Sequence, residues 1–310
     1  MKTSSGPEVS GRVLRGLVTV ISVPALVATI LWAGNATAIS VALRDFSSLA
    51  ITEVRMAGAV PILLALTLLA RRPLRFPRGK KLALLLLAGG AYGAGVLAVT
   101  VGLHHTAAVN ATLLMSTQPL LAFIIGAVVG VERLARRRVL GAMVAFVGVS
   151  VIVFRHGVSL ETGTLAGDLL ILGGSLMGGV MVITQVFLFS ELGVLGSTTL
   201  IVTIGGILAL PFTWSELVQQ DWAVSSLSSW SGLVYSVVLA VAVPMLLWSM
   251  AIRTIGPART LVYNYLQPII GAVIAILVLS ESVGVPHFVG TALVLAGLAL
   301  TRQQTPARDG

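Results

Sequence analysis

The sequence predicts an all-α membrane protein with ten transmembrane helices, arranged as two inverted repeats of five helices each. Three observations predict this fold: the composition, the spacing of charge-free stretches, and an internal repeat. Of the 310 residues, 56% are hydrophobic and only 10% are charged, and the mean hydropathy is +1.01. Soluble domains average about 45–50% apolar and roughly 25% charged residues. So few charges could not cover a water-facing surface, which excludes a soluble enzyme, a disordered chain and a coiled coil.

The ten predicted spans follow the charge-free stretches of the chain. A helical span needs about 20 mostly apolar residues. Residues 82–131 contain no charged side chain over 50 residues, which is long enough for two helices with a tight turn near His104 and His105. Two other spans are shorter or contain charged residues. The predicted helices are 18–42, 47–70, 82–103, 106–130, 138–154, 166–190, 196–214, 230–252, 257–279 and 285–301.

Basic residues are distributed unequally between the connections. Lys and Arg number 20 against 11 Asp and Glu, which gives a net charge of +9. With the N-terminus inside, 17 of these basic residues fall on the cytoplasmic side; Arg44 and Arg155 fall outside, and Arg55 lies within a span. This asymmetry indicates a multi-pass protein of a bacterial cytoplasmic membrane with both termini in the cytoplasm. The excess charge is therefore explained by an anionic lipid surface, and no nucleic acid partner is expected.

An internal repeat appears when the chain is shifted by 149 positions. Gln118-Pro119 then falls on Gln267-Pro268, and Glu132 falls on Glu281. The other coincidences are Leu103 with Ile252, Gly141 with Gly290, and Gly148 with Gly297. Since each half has five helices, the second half enters the membrane in the opposite orientation. Inverted repeats of this kind are typical of secondary transporters, whose substrate sites lie near the midplane between the halves.

The repeat divides the chain into two five-helix units. They span residues 16–155 and 166–301, with cytoplasmic tails at 1–15 and 302–310. The first helix also resembles a secretory signal, because Ala36-Thr37-Ala38 is similar to a cleavage site. We expect this helix to be retained, since the repeat requires it as its first element.

An ordered set of motifs through both halves resembles the EamA family of the drug/metabolite transporter superfamily. In the first half the motifs are Leu31-Trp32-Ala33-Gly34, Arg55 with Ala57, His105-Thr106, Gln118-Pro119, Glu132 and Gly141 to Gly148. In the second half they are Ala251-Ile252-Arg253 through Gly256, Gln267-Pro268, Glu281 and Gly290 to Gly297. The resemblance implies a ten-helix transporter of small metabolites, some of them amino acids. Export is the direction that it favours.

The repeated prolines are the first candidates for a functional site. Pro119 and Pro268 are predicted inside helices 4 and 9, where each would free the carbonyl four residues earlier, at Met115 and Asn264. In lipid such a carbonyl should face a cavity, water or a polar partner. Polar side chains surround both prolines: Ser116, Thr117, Gln118, Asn264, Tyr265 and Gln267. We interpret these helices as kinked and cavity-lining; the alternative is a kink whose polar groups bind neighbouring helices.

Further binding candidates lie on other helices. They are Trp32 and Asn35 on helix 1, Tyr92 on helix 3, Gln185 on helix 6 and Trp248 on helix 8. Trp32 and Asn35 are three residues apart and so share a helix face. Amides and aromatic rings suit a small, partly apolar solute that is zwitterionic or neutral. Aromatic residues near span ends are alternatively interface anchors.

Arg55 is the most costly residue of the predicted spans, because intramembrane charge is rare and usually functional. It could hold a substrate carboxylate or pair with a carboxylate elsewhere; we assign it, with both prolines, to a structural or gating role. Proton coupling is an open alternative to uniport, with His104, His105 and end-of-helix carboxylates as the available groups.

These features predict a secondary transporter that moves a small metabolite by alternating access and is not an enzyme. The alternatives are an intramembrane enzyme acting on a lipid-linked substrate and a non-transporting membrane scaffold. The chain has no cysteine, no phosphate-binding loop and no metal-ligand spacing, so we expect no metal or cofactor. The protein could act as a monomer or as a homodimer.

Overall fold

The computed structural model describes residues 22–71, 74–106, 111, 114–131, 136–153, 165–223, 225–267, 269–270 and 285–302, and these residues form a helical bundle. The helices are α1 Val23–Ala42, α2 Ser48–Leu69, α3 Lys80–Leu103, α4 Gln118–Val128, α5 Arg136–Val153, α6 Leu165–Val186, α7 Phe189–Gln219, α8 Leu227–Ile255, α9 Pro257–Leu261 and α10 Val285–Arg302. No strand occurs among these residues.

Serine side chains begin three of the helices. The hydroxyls of Ser22, Ser47 and Ser226 accept hydrogen bonds from backbone amides three residues further on, at the starts of α1, α2 and α8. Such caps satisfy one of the amide groups that a helix start leaves unpaired. They also mark where each apolar run meets its polar connection.

Six of the helices are long and apolar enough to cross a membrane: α1, α2, α3, α6, α7 and α8. Two shorter apolar helices, Gln118–Val128 and Phe288–Leu300, accompany them. The predicted all-helical membrane fold is therefore confirmed, whereas the count of ten spans stays a prediction.

Three predicted helices differ from the structure in length or continuity. The helix predicted over 106–130 is interrupted, and α4 begins only at Gln118 after a turn at 116–117. The helix predicted over 257–279 changes after Leu261 into the 3₁₀ segment Val262–Leu266. The helix predicted over 196–214 runs from Phe189 to Gln219 and bends at Gly193, whose positive φ of 67° suits a residue without Cβ.

Helices of the two halves pack in pairs that a pseudo-two-fold axis would interchange. Helix α3 packs on α6, and their repeat equivalents, α8 and α1, pack on each other. The pairs α2 with α7 and α5 with α10 join helices that are each other's equivalents. The inverted repeat predicted from the sequence is thus the organising symmetry of the bundle.

Glycines bring α5 and α10 into backbone contact. A Cβ added to Gly148 would lie 2.7 Å from the Gly290 carbonyl oxygen, and a Cβ on Gly297 would lie 2.4 Å from that of Gly141. Since Gly148 corresponds to Gly297 and Gly141 to Gly290 in the repeat, these two contacts are equivalent. These small-residue surfaces therefore bring the two halves into direct backbone contact.

Charged side chains separate to the two ends of the bundle. One end carries Arg71, Arg75, Arg78, Lys80, Lys81, Arg253 and Arg259, and the ion pair between Lys81 and Glu191 spans 2.9 Å there. The other end carries Asp45, Asp168, Glu216 and Asp221 with Arg44. The membrane-embedded middle contains few charges, of which Arg55 is the most central.

The glycine contacts predict a position-specific effect on stability. A Cβ on Gly93 would lie 2.4 Å from the Gly205 carbonyl oxygen, whereas on Gly90 it would meet only a Leu208 methyl group at 3.6 Å. We expect Gly93→Ala to lower the free energy of unfolding by about 1–3 kcal/mol, because α3 and α7 must separate. Gly90→Ala, on the same helix, should be neutral or stabilising. Thermal unfolding of the purified protein in detergent measures both, and equal effects would contradict the packing account.

Candidate functional site

Three side-chain amides from the two halves meet between α4 and the segment after α9. Asn264 Nδ2 donates a long hydrogen bond of 3.5 Å to Gln118 Oε1, and Gln267 Nε2 donates to Asn264 Oδ1 at 3.2 Å. Gln118 and Gln267 are repeat equivalents, so this amide cluster joins matching positions across the pseudo-two-fold. All three side chains are half-buried.

The backbone at both repeat positions tightens before the proline. The Thr117 amide donates to the Leu114 carbonyl at 3.1 Å, and the Gln267 amide donates to the Asn264 carbonyl. These bonds to the third residue back are of the 3₁₀ type, which Pro cannot disrupt because it lies after the donor. These backbone bonds place the side-chain amides of Gln118 and Gln267 at points where the helices are interrupted.

The prediction that Pro119 lies inside a helix is wrong. It occupies the first turn of α4, where the missing amide hydrogen costs little. Polar groups reach the carbonyl of Leu114, one residue before the predicted Met115: it accepts from Ser175 Oγ at 3.1 Å and from Thr117 Oγ1 at 2.6 Å. Pro268 lies outside the described residues.

Helix α6 closes one side of the amide cluster. A Cβ added to Gly178 would lie 2.5 Å from Gln118 Nε2, so a side chain at this position would displace the Gln118 amide. On its other side Gly178 borders Gly95 of α3. The cluster therefore lies against α6, close to the α3–α6 contact. Ser116, which was also assigned to the site, lies half-buried in the turn that precedes Gln118.

The two predicted tryptophans meet at a break in α8. Their ring centroids lie 4.8 Å apart, and Trp248 is 3% exposed. Trp32 Nε1 donates to the Ala240 carbonyl at 2.8 Å. Pro244 frees this carbonyl, because the proline four residues on has no amide hydrogen, and residues Val238–Ala242 form a π-helical turn.

Asn35 shares the helix face of Trp32, as its spacing predicts. Its Oδ1 accepts from Ser236 Oγ at 2.7 Å, and the Tyr235 hydroxyl donates to the Leu31 carbonyl at 3.1 Å. Both contacts join α1 to α8. The predicted binding residues of helix 1 thus lie at an interface between the halves.

Gln185 lies in a different, fully buried network. It is 1% exposed, and its Nε2 donates to Ser249 Oγ at 2.9 Å and to Thr198 Oγ1 at 3.4 Å. Thr198 Oγ1 in turn donates to Ser249 Oγ at 2.7 Å. The structure does not bring Gln185 to the amide cluster; its side chain instead joins α6, α7 and α8. The sequence analysis did not identify Thr198 and Ser249. Each is a polar residue in an otherwise apolar span, and this is the feature that could have indicated them.

Arg55 lies on α2 and interacts electrostatically with Tyr92 of α3, which is 9% exposed. The Arg55 Nε is buried without a hydrogen-bond partner. Glu53, also on α2, accepts from Thr213 Oγ1 at 2.9 Å instead. Glu53 is therefore directed toward α7 rather than toward Arg55.

Tyr265 is a second residue with an unsatisfied polar group. It is 0% exposed, and its hydroxyl has no hydrogen-bond partner among the described residues. The neighbouring Tyr263 instead accepts a hydrogen bond of 2.9 Å from the Ser22 amide and so ties this segment to the start of α1. Tyr265 lies two residues before Gln267 but points into the core.

A polar clasp holds the acidic end of the bundle together. Asp45 Oδ2 accepts from the Ser226 amide at 2.7 Å and from its hydroxyl at 2.6 Å. Gln220 bridges the same loops through the Asp45 carbonyl and the Ser47 amide. Beneath these bonds Phe46 contacts the rings of Trp222 and Trp230. The clasp therefore fixes the α1–α2 connection to the α7–α8 connection, across the two halves.

We expect the buried network around Gln185 to contribute to the free energy of unfolding, unlike the amide cluster. Gln185→Ala should lower the free energy of unfolding by about 1–3 kcal/mol, because Ser249 and Thr198 lose a buried donor. Gln219→Ala, at the exposed end of α7, is the matched control and should change stability little. Thermal unfolding in detergent measures both variants. Equal melting temperatures would show that the network contributes nothing to stability.

The clasp predicts a pH dependence. The two hydrogen bonds from Ser226 hold the pKa of Asp45 below its ordinary value of 3.8. A lowered folded-state pKa stabilises the clasp above that ordinary value, and the contribution is lost as the pH falls through the lowered pKa. Hydrogen exchange at the Ser226 amide, corrected for its intrinsic rate, should therefore lose protection on acidification. Asp45→Asn should remove this pH dependence, and Asp221→Asn should retain it.

Known proteins similar to this chain are transporters. The sequence pattern of the EamA-like transporter family matches residues 20–154 and again residues 165–303. The "Uncharacterized transporter YetK" of Bacillus subtilis is 23% identical over 203 residues, which are 64% of this chain and 61% of that protein. The chain therefore matches less than two thirds of that relative's length.

Two other relatives match over most of their length. An "Uncharacterized transporter" of Archaeoglobus fulgidus is 26% identical over 88% of this chain and 93% of its own. The "Probable terminal-alkyne amino-acid exporter" of Streptantibioticus cattleyicolor is 26% identical over 92% of this chain and 94% of its own. One solved crystal structure has the same fold, with a TM-score of 0.74 at 17% identity over 90% of this chain and 96% of that one. The chain is an integral multi-pass membrane protein that belongs to the EamA-like transporter family.

Proposed function

We propose that this protein is a secondary transporter that exports a small metabolite from a bacterial cytoplasm by alternating access. The observation that carries the proposal is the amide cluster, in which Gln118 and Gln267 approach each other across the pseudo-two-fold through Asn264. A site shared by two inverted halves keeps its ligands when the halves exchange conformations. The cavity can then open to either side around a fixed solute.

The proposed orientation places the basic end of the bundle in the cytoplasm. It follows the positive-inside rule, since the described Lys and Arg residues lie almost entirely at that end. The Asp45–Ser226 clasp then faces the outside, where its opening would release the solute. The Lys81–Glu191 ion pair and the contact of Ser22 with Tyr263 lie at the cytoplasmic end. Different contacts thus join the helices at the two ends, which supports a mechanism in which each end opens separately.

The chemistry of the amide cluster supports a small polar solute such as an amino acid. Uncharged amides can donate and accept hydrogen bonds at once, which suits zwitterionic and neutral groups. The Trp32–Trp248 pair offers an apolar surface at an interface between the halves. One relative bears the name of an amino-acid exporter, which agrees with this solute class.

Flux measurements test this proposal. In liposomes containing the purified protein, a panel of radiolabelled amino acids and related metabolites should include solutes that cross faster than in empty liposomes. Gln267→Ala and Asn264→Ala should reduce that flux about tenfold, because each removes a hydrogen bond worth about 1 kcal/mol or more to the bound solute. Both variants should retain a melting temperature close to that of the wild type.

Gln219→Ala is the control for this experiment, since it removes an exposed amide at a helix end. Wild-type flux in both Gln267→Ala and Asn264→Ala would remove the amide cluster from the site. A panel that never crosses, together with turnover of a lipid-linked substrate, would favour an intramembrane enzyme. If neither flux nor turnover were observed, the protein would be interpreted as a membrane scaffold.

A further inference from the structure

Glu53 is a buried carboxyl group of α2 to which the proposed transport mechanism gives no role. It is the sixth residue of this helix, about 8 Å from the helix start, and is 4% exposed. The helix dipole acts mainly within the first turn, so it contributes little to holding a charge at this depth. Acidic side chains inside membrane spans are rare and by default functional, commonly in the transfer of ions or protons. The position of Glu53 therefore calls for a functional explanation.

The carboxyl group of Glu53 lies against α7. Its Oε2 accepts a hydrogen bond of 2.9 Å from the buried hydroxyl of Thr213. Its Oε1 lies near Gly206, where an added Cβ would be 3.8 Å from this oxygen. Since α2 and α7 are equivalent helices of the two repeats and pack on each other, the carboxyl group is buried in the interface between the halves.

The partner of Glu53 is a hydroxyl group and not a cation. Within the part of the chain that the structure describes, the ion pair joins Lys81 to Glu191 at the basic end of the bundle. Burying an ionised carboxylate without a cation is unfavourable. A lysine or arginine partner would hold the carboxylate ionised, whereas a hydroxyl can either donate a hydrogen bond or accept one. The surroundings of Glu53 are therefore compatible with both of its protonation states.

Thr213 can serve as the partner of either form. Its Oγ1 also lies 3.2 Å from the Leu210 carbonyl and 3.4 Å from the Ala209 carbonyl. When Glu53 is ionised, the hydroxyl hydrogen points to Oε2. When Glu53 is protonated, its O–H group can donate to Thr213 Oγ1, and the hydroxyl hydrogen turns to a carbonyl of its own helix. Rotation of one hydroxyl thus leaves no buried donor unpaired in either state.

Contacts at the acidic end of the bundle cover Glu53. Glu216 Oε2 accepts from the Leu49 amide at 3.3 Å, and Gln220 Oε1 accepts from the Ser47 amide at 2.8 Å. These bonds tie the start of α2 to the end of α7, about one helical turn outside the pair of Glu53 and Thr213. Separation of these contacts would expose the carboxyl group to solution at that end.

Other ionisable groups around Glu53 have partners of their own. The helices that pack on α2 are α3, α7 and α8. Away from the basic end, the ionisable side chains that these helices, their ends and α2 itself place around Glu53 are Arg55, Tyr92, His104, Glu216 and Tyr235. Each of them interacts with a group other than Glu53. The proton affinity of Glu53 therefore depends on its burial and on Thr213.

We propose that Glu53 is the proton-binding site of this protein and that Thr213 is its reversible hydrogen-bond partner. This inference rests on the proposed transport function, to which it adds the coupling ion. Glu53 takes up a proton from solution when the acidic end opens and releases it when the basic end opens. The neutral acid can be buried between α2 and α7, whereas the ionised form favours a hydrated, open interface. One proton thus enters the cell as a solute leaves it.

Infrared difference spectra between wild type and Glu53→Gln isolate this carboxyl group in the ligand-free protein. Glutamine has a similar shape and keeps an oxygen that accepts from Thr213, so the variant should melt near the wild-type temperature. We expect a carboxylic acid band that titrates between about pH 5 and 9, the range in which a proton carrier can work, and that is missing from Glu53→Gln. Asp221→Asn, at an exposed carboxyl group of the same end, should retain the band. A group that stays wholly ionised or wholly protonated over this range would overturn the proposal.

Variants of Thr213 test the hydrogen-bond partner and assign the band without a change at Glu53. Thr213→Val should shift the midpoint of the titration by about one pH unit, which is tenfold in proton affinity, because a hydrogen bond to the ionised form is lost. Thr213→Ser keeps the hydroxyl and should restore the wild-type midpoint. Thr203→Val removes a hydroxyl that donates within α7 to the Thr199 carbonyl and is the control. An unchanged midpoint in Thr213→Val would overturn the proposal.

Flux in liposomes separates this inference from the proposed function. A pH gradient should accelerate the solutes that cross in the metabolite panel. Glu53→Gln should lose this acceleration, and Asp221→Asn should retain it. Wild-type flux that ignores the pH gradient would overturn proton coupling and leave transport. Titration of Glu53 without flux of any solute would remove transport and leave the proton-binding site.

Discussion

Backbone-to-backbone approach at glycines is the constraint on which the rest of the bundle depends. Lipid gives helices no hydrophobic reason to associate, so close van der Waals contact must hold them together. The crossed pairs Gly148–Gly290 and Gly141–Gly297 bind α5 to α10, and Gly93 meets Gly205 between α3 and α7. Because these contacts join the halves through surfaces without bulky side chains, the helix backbones can lie in direct contact.

Polar groups in this protein occur where the helices break. Pro244 frees the Ala240 carbonyl, which the Trp32 indole satisfies from the other half. The turn before Pro119 exposes the Leu114 carbonyl, which Ser175 satisfies from α6. In both places a local backbone defect becomes an interaction between the repeats. The same breaks orient the amide cluster, so the interruptions that weaken individual helices also bring Gln118 and Asn264 together.

The embedded polar residues fall into two physical classes. Gln185, Thr198 and Ser249 hydrogen-bond to one another and join three helices. Arg55 and the Tyr265 hydroxyl leave buried groups without a partner, which costs stability that the glycine-packed interfaces must supply. Satisfied groups rigidify the bundle, whereas unsatisfied groups are the ones with capacity to bind something else.

The sequence by itself determined the helical membrane fold, the distribution of charge to two ends and the inverted repeat, because apolar length, charge position and residue identity are local properties. It also placed Trp32 and Asn35 on one helix face and identified Gln118 and Gln267 as equivalent positions of the repeat. Only the tertiary structure decided that Gln185 is an internal cross-link while Gln267 joins the amide cluster, although both are glutamines in apolar spans. It also decided that Pro119 begins a helix and that the Arg55 Nε atom has no hydrogen-bond partner among the described residues. The physical reason is that a sequence defines which residues share a face, but the neighbours of that face depend on how each helix is rotated and packed against helices distant in the chain.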